Sequence, residues 1–450
     1  MSHTRTESDN KVILLRPRPL TKEPACLALV RLLPERPPPI HLPFELWTRI
    51  LFHVLGQGND WLERLPVAER RKQVCRRWHL LSVCKSWAEI AKPLLYQHLH
   101  VFTLSSLDKL VTLLHNADQK WDSIRRIPHA TPNRWVRSLD VSEVRSSIPA
   151  AAMAIDLLLA KMFPLVPYLE RLSLCPDYAL SRSALASLSD KEGLQRLKSL
   201  MGFKVVHGDG DWGASASTLD PTLTILQRCS GLEQLEIVND GGPPNEETAL
   251  LDLEDLEVFP DLPSLSLPRL TSLYLQTPSP TPIMAALLRA EVPALRQLMI
   301  TPYSDSPCPV TALILSRHGA NLSNLNLQPP KHWGTIVDAQ PSTILITSPR
   351  LRQLSLEYPL PILASPTGIL HPLHTLTIPR PNARFLHALE VLLAHLPALR
   401  IVRVRGVRWL RSGVSSKALE AGVQGEMRLW RRRLARKNIR LVDADGKDPL

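Results

Sequence analysis

LRQLSL, residues 351–356, is the stretch on which the fold turns. Leu354 and Leu356 are two apart, the period at which strand side chains return to one face, and Gln353 and Ser355 go to the other. Leu351, three residues ahead of Leu354, sits where a chain enters such a strand. A strand this short buries little by itself, so the pattern makes sense only if it recurs.

It recurs through the C-terminal two thirds. LERLSL begins at Leu169, LEQLEI at Leu232, LTSLYL at Leu270, LRQLMI at Leu295, LSNLNL at Leu322, LHTLTI at Leu373 and LRIVRV at Leu399. VRSLDV at Val136 opens the series, and LQRLKSL from Leu194 is a degenerate member whose register the sequence leaves open. Successive starts lie 22 to 38 residues apart, mostly near the length of leucine-rich repeats, with longer units carrying insertions. Helix-like pieces such as AIDLLLAKMF, PIMAALLRA and ARFLHALEVLLAHL fall between the strands. Strand alternating with helix predicts an α/β fold, an irregular leucine-rich-repeat solenoid over residues 136–442 in which helices back a parallel sheet. Three residues past the last strand leucine, where such repeats usually carry Asn or Cys, stand Asp177, Asp240, Pro278, Tyr303, Pro330, Pro359, Pro381 and Val407. An asparagine ladder is therefore not expected.

Near the end, Leu419, Val423, Met427, Trp430 and Leu434 are spaced as one face of a helix, and a short strand around Ile439 to Val442 follows. Together they predict a cap on the open end of the solenoid, ahead of a tail at 443–450. Upstream, residues 1–38 mix prolines with polar residues and predict a disordered leader. Residues 39–102 form a short all-α module, and 103–135 connect it to the repeats. In that module LPFELWTRILFHVL places apolar residues at 42, 46, 50, 51, 54 and 55, one helix face, with Pro43 and Glu45 suited to its first turn. A polar insert, Gly56 to Arg77, holds a possible short helix. A second apolar segment, from Trp78 to Val101, follows, in which Pro93 is expected to break or restart the helix. So few helices make a poor core alone and need a neighbour.

Composition is ordinary for a globular chain of 450 residues, with 44% hydrophobic and 21% charged residues, while 41 prolines against 18 glycines favour short, stiff connections. The polar start lacks the apolar core of a signal peptide, and AAMAIDLLLA, the nearest approach to a membrane span, is interrupted by Asp156. Cysteines 26, 75, 84, 175, 229 and 308 are scattered without a CxxC pair, which suggests reduced thiols in cytosol or nucleus, and no membrane partner is expected.

Little in the sequence points to catalysis, and no enzyme activity, catalytic residue, metal or cofactor is expected. G-x-S-x-G, P-loop, H-E-x-x-H and G-x-G-x-x-G motifs are all missing. Cys75, His79 and Cys84 lack a fourth ligand at zinc spacing, and HGDGDWG (207–213) lacks the rest of a calcium loop, so it is taken as a surface turn. The formal charge of +12 raises a nucleic-acid reading, and WRRRLARK is its densest run. The continuous apolar stripe through that run favours a solvated helix face, and a nucleic-acid partner is not expected. The third, fifth and seventh positions of each repeat face away from the core onto the concave sheet face. From them Arg171, Glu236, Tyr274, Gln297, Asn324, Asn326, Glu357, Arg403 and Arg405 are the candidate substrate-binding residues.

Taken with the repeats, LPFELWTRILFHVL and LLSVCKSWAEIAKPLLYQHLHV resemble the F-box of F-box proteins with leucine-rich repeats. The motifs that carry the likeness are Leu42-Pro43 with Glu45 and Leu46, Ile50-Leu51, Val83-Cys84, Trp87 and PLLY at 93–96. The resemblance implies docking on a Skp-family adaptor, and through it on cullin and RING subunits of a ubiquitin ligase, while the repeats choose a protein substrate that the sequence does not identify. It assigns the adaptor contacts to Leu42, Pro43, Leu46, Ile50, Leu51, Val83, Cys84 and Trp87. The insert at 56–77 departs from the family in being longer than its usual link. The alternative is a leucine-rich-repeat scaffold without ligase function, whose basic C-terminal segment binds nucleic acid or an acidic protein.

Overall fold

The computed structural model describes residues 42–55, 65–119, 132–145, 148–205, 221–239, 264–276, 281–301, 310–327, 341–358, 360–366, 370–410 and 422–448. Contacts divide the chain into two units, 1–57 and 58–450. The described part of the first is a single helix, α1 (Phe44–Leu55). Pro43 starts it from outside: its carbonyl accepts from the amides of Leu46 and Trp47 at 3.0 and 3.2 Å, and Glu45 sits at the positive end of the dipole.

The second unit is an α/β solenoid. Its twelve described strands run parallel and in chain order. They are β1 (His98–His100), β2 (Ser138–Asp140), β3 (Arg171–Ser173), β4 (Ser199–Val205), β5 (Gln234–Asn239) and β6 (Ser272–Gln276), followed by β7 (Gln297–Ile300), β8 (Asn324–Leu327), β9 (Gln353–Ser355), β10 (Thr375–Ile378), β11 (Ile401–Val404) and β12 (Arg440–Val442). The fourth repeat position forms one unbroken buried ladder: Leu99, Leu139, Leu172, Leu200, Leu235, Leu273, Leu298, Leu325, Leu354, Leu376, Val402 and Leu441. The first-position leucines at 169, 232, 270, 295, 322, 351, 373 and 399 are buried beside it. This is why a short strand suffices, since each covers its neighbour.

Two features differ from the expected pattern. The sheet begins earlier than Val136, with β1 at His98, and residues 104–119 of the expected connecting segment are a helix whose Leu107, Val111 and Leu114 belong to the common core. The degenerate repeat enters its strand at Leu197, because Leu200 pairs in register with Leu172 and Leu235, and Gly202 then bulges at φ +68° to restore the pairing of Phe203 with Ile237.

A carbonyl ladder links the repeats where an asparagine ladder is missing. The second-position carbonyl of each repeat accepts amides from the next. Arg137 accepts from Glu170 and Arg171, Glu170 from Lys198 and Ser199, and Arg296 from Ser323 and Asn324, at 2.7–3.1 Å. The links are made by backbone, with the Thr271 and Ser323 hydroxyls adding a donor to the Glu233 and Arg296 carbonyls, so the ladder requires no particular side chain.

Among the described residues of this unit, ten helices of two turns or more follow or precede the strands on the other layer, the first eight being α2 (Val67–Trp78), α3 (Lys85–Gln97), α4 (Leu104–Gln119), α5 (Pro149–Met162), α6 (Arg182–Ser189), α7 (Pro221–Arg228), α8 (Pro282–Arg289) and α9 (Val310–His318). They are joined by α10 (Ala383–Leu392) and α11 (Gly422–Ala435). Ser181, Thr281 and Asn382 cap three of them through side-chain oxygens. Pro93 lies inside an unbroken α3, contrary to the expected break. Buried Ile90, Leu95 and Tyr96 anchor both sides of it, so packing outweighs the one backbone hydrogen bond that proline forgoes.

Candidate functional site

α1 is apolar on two sides. Leu51 and Leu55 are buried, while Phe44, Leu46, Ile50 and Val54 are exposed, and Leu42 is exposed just ahead of the helix. Leu46, Ile50 and Val54 recur every four residues and make one open aliphatic stripe. Of the sequence-derived docking set, Leu42, Pro43, Leu46 and Ile50 thus present surface, whereas Leu51 does not. Periodicity placed Ile50 and Leu51 together because neighbours in sequence straddle the edge of a helix face.

In the second unit α2, a short 3-10 turn and α3 succeed one another, and α3 runs straight into β1. The insert at 56–77 is therefore largely helix from Val67 onward; residues 56–64 lie outside the described residues. Tyr96 of α3 meets Trp78 and Trp135 edge to face, at 5.7 and 5.9 Å between ring centres, which ties α2, α3 and the one-turn helix Pro132–Trp135 together. Val83 is left exposed in the turn. Cys84 caps α3: its sulfur accepts from the Trp87 amide at 3.4 Å and lies 3.2 Å from the Ser86 hydroxyl, and these contacts bring the thiol below its ordinary pKa. Trp87 is half-buried.

At the N-terminal end of the sheet a polar cluster appears that the sequence pattern does not single out. His100 Nδ1 and Asp140 Oδ2 are 3.0 Å apart, and Ser142 donates to Asp140 from both hydroxyl and amide. Burial alone would raise the Asp140 carboxyl, but these hydrogen bonds hold it below its ordinary value. Arg70 of α2 reaches Asp140 and Glu143 at 3.9 and 3.7 Å, so α2 is fastened to β2 through charge. Burial, with Arg171 nearby, holds the neighbouring His98 down to about 4. Only the pattern HLH at 98–100 hints at this in sequence.

On the open face of the sheet the nine candidate residues fall into three groups. Tyr274, Gln297, Asn324 and Asn326 stand on adjacent strands β6–β8, and the buried Asn326 Oδ1 has no hydrogen-bond partner among the described residues. Glu236, one strand before, is held by the Gly202 amide at 3.0 Å and by the Gln276 amide group. Arg171 lies well apart, registered against Ser138 and Ser199. At the other end Glu357 is buried and paired with Arg405, and Arg403 donates to the Ala444 carbonyl. These last three serve the solenoid itself. Their partners come from other repeats, so no local pattern could reveal the pairing.

The basic C-terminal helix is mainly a cap. Met427, Trp430 and Leu434 are buried, Arg431 pairs with Asp448 at 3.3 Å and Arg433 with Glu390 at 3.4 Å. Leu419, Cys26, Cys308 and the 207–213 turn lie outside the described residues. Cys75, Cys84, Cys175 and Cys229 are free thiols, and no cluster of three or more potential metal ligands occurs among the described residues. No helix among them is long and apolar enough to cross a membrane.

No family model matches this chain, and no curated protein matches it. Among solved structures, the crystal structure of a protein from Bacteroides fragilis overlaps 75% of this chain and 73% of its own length, with 13% identity and a TM-score of 0.31. So loose an overlap bears on no residue described above.

Proposed function

We propose that this chain is a non-catalytic substrate-recognition adaptor of the F-box type, which docks a Skp-family adaptor and presents a protein bound to its repeats for ubiquitination. The observation that carries the docking half is the open stripe of α1, where Leu46, Ile50 and Val54 stay exposed although Leu51 and Leu55 of the same helix are buried. A helix apolar on both sides has a second face to cover, and aliphatic burial is how such a module gains affinity. Leu42 and Phe44 add exposed apolar surface in the same unit. The recognition half rests on the open sheet face, whose side chains the leucine ladder leaves free to vary.

The paired arginines of α11 weigh against the scaffold alternative that would use that segment for binding. Co-purification tests the proposal: the full chain should retain a Skp-family adaptor, and Leu46→Asp with Ile50→Asp should release it. A full chain that captures no such adaptor would end the ligase reading.

A further inference from the structure

The charge of this protein is divided unevenly. Residues 264–450 hold 23 Lys and Arg against 10 Asp and Glu, whereas residues 1–263 hold 31 against 32. The carbonyl ladder shows where part of the excess is presented. Along its second-position row the first repeats alternate in sign, Arg137, Glu170, Lys198, Glu233, and neighbours pair, Arg137 with Glu170 at 3.4 Å and Lys198 with Glu170 at 2.8 Å.

At β6 the row carries the neutral Thr271, and beyond it no acidic residue follows. The row continues as Arg296, Ser323, Arg352, His374 and Arg400, each backbone carbonyl accepting from the next repeat at 2.8–3.2 Å, and ends against the Arg440 amide. The three arginines of this row and His374 are exposed, and no described carboxylate pairs with any of those arginines. Successive strands are about 4.8 Å apart, so the row from Arg296 to Arg400 spans about 19 Å, the reach of roughly six extended residues.

We infer that this row is a binding edge for an extended acidic segment of a partner protein. It rests on the recognition half of the reading above, for which it supplies the substrate class, and is independent of adaptor docking. A fixed backbone row holds the guanidinium groups at regular intervals, and Arg matches carboxylate or phosphate groups two oxygens at a time. The residues one step into the strands are Gln297, Asn324, Gln353, Thr375 and Ile401. Their amides and hydroxyls suit a peptide backbone, and no aromatic platform for stacking bases stands among them.

The test uses the full chain and a short fluorescein-labelled peptide in which aspartate alternates with serine, read by anisotropy at low and physiological salt. The same peptide with asparagine for aspartate and a single-stranded oligonucleotide of matched length are the comparisons. Tighter binding of the acidic peptide is expected, weakening with salt. Arg352→Gln with Arg400→Gln should weaken it about five-fold or more, while Arg432→Gln with Arg436→Gln, an equal charge change on exposed residues of the cap, should alter it less than roughly two-fold. Equal losses in both double variants would reduce the row to net charge and overturn the inference. So would equal binding of the asparagine peptide, or an oligonucleotide that binds more tightly and depends on Arg352 and Arg400. Adaptor capture by the same variants is read separately, so failed docking leaves the peptide result standing.

Discussion

Replacing Leu46 and Ile50 by aspartate tests whether the open stripe of α1 is a docking surface. Phe44, Leu46, Ile50 and Val54 are 60%, 42%, 40% and 62% exposed. Together they leave about two side chains' worth of apolar area to cover, which at ~1.5–3 kcal/mol per fully buried side chain amounts to about 3–6 kcal/mol before ordering costs. Leu46 and Ile50 supply somewhat under half of it, and burying a carboxylate at either position adds a further ~1–3 kcal/mol. Adaptor affinity should therefore fall by about 100-fold or more. Both residues are about two-fifths exposed in the free chain, so unfolding free energy should move by only about 1–2 kcal/mol, helix propensity included. Leu51→Asp is the contrast, since it puts a charge at a buried position and should cost several kcal/mol by the same physics. Adaptor titration by calorimetry and urea unfolding by circular dichroism measure the two quantities. Undiminished adaptor binding by a folded double variant refutes the docking surface; a stability loss as large as that of Leu51→Asp refutes the exposed stripe itself.

The solenoid makes three further predictions. Gly202→Ala places a Cβ 2.1 Å from the Leu174 carbonyl oxygen at a positive φ, so it should destabilise by at least ~2 kcal/mol in urea unfolding; a change below about 0.5 kcal/mol would mean that β4 does not bulge there. Leu325→Ala empties a fully buried rung and should cost ~2–5 kcal/mol, against about 0.5 or less for exposed Gln353→Ala, measured the same way. Acid should weaken the fold through His98: its folded pKa of about 4 lies below the ~6.5 of an unfolded imidazole, so the unfolded chain binds more protons, and stability present above pH ~6.5 drains as pH falls toward 4. By pH 5 the loss should be about 2 kcal/mol, with half-buried His318 and buried His371, both lowered by burial, acting in the same direction. Urea unfolding at pH 7 and pH 5 should show that difference shrink in His98→Gln; an unchanged difference would assign the acid sensitivity elsewhere.

The repeats were legible because burial imposes them. A leucine or another aliphatic residue at each first, fourth and sixth position is what a thin sheet layer needs to bury. Register was ambiguous only at LQRLKSL, where Leu194, Leu197 and Leu200 are evenly spaced and two frames fit; the bulge at Gly202 selects the second. β1 escaped notice because HLHV lacks the preceding L-x-x-L, its place being taken by the end of α3. The carbonyl ladder is invisible by nature, since every residue carries a carbonyl. The candidate surfaces were legible in part. Periodicity identified the apolar residues of α1 but not which of them face outward, and alternation put Glu357 and Arg405 on the open face without revealing that they satisfy each other.

In the proposed reading, recognition and folding fall to different positions of each repeat. The first, fourth and sixth residues hold the core, and the second-position backbone holds the repeats together, so across β7–β11 most second- and third-position side chains carry little structural duty, apart from Ser323 on the Arg296 carbonyl and Gln297 on the Ser272 hydroxyl. Arg296, Ser323, Arg352, His374 and Arg400 stand on a frame already ordered before any partner arrives, so little further freedom is lost on binding beyond the side chains' own. Arg296 and Arg400 are four strands apart, about 19 Å, and share no neighbour, so their contributions to one ligand should add. Arg352 and Arg400, only two strands apart with His374 between them, repel one another across about 10 Å, close to a Debye length at physiological salt. Losing either arginine relieves the other, so single substitutions of that pair should each cost slightly less than half of the double, and the shortfall should disappear as salt screens the repulsion.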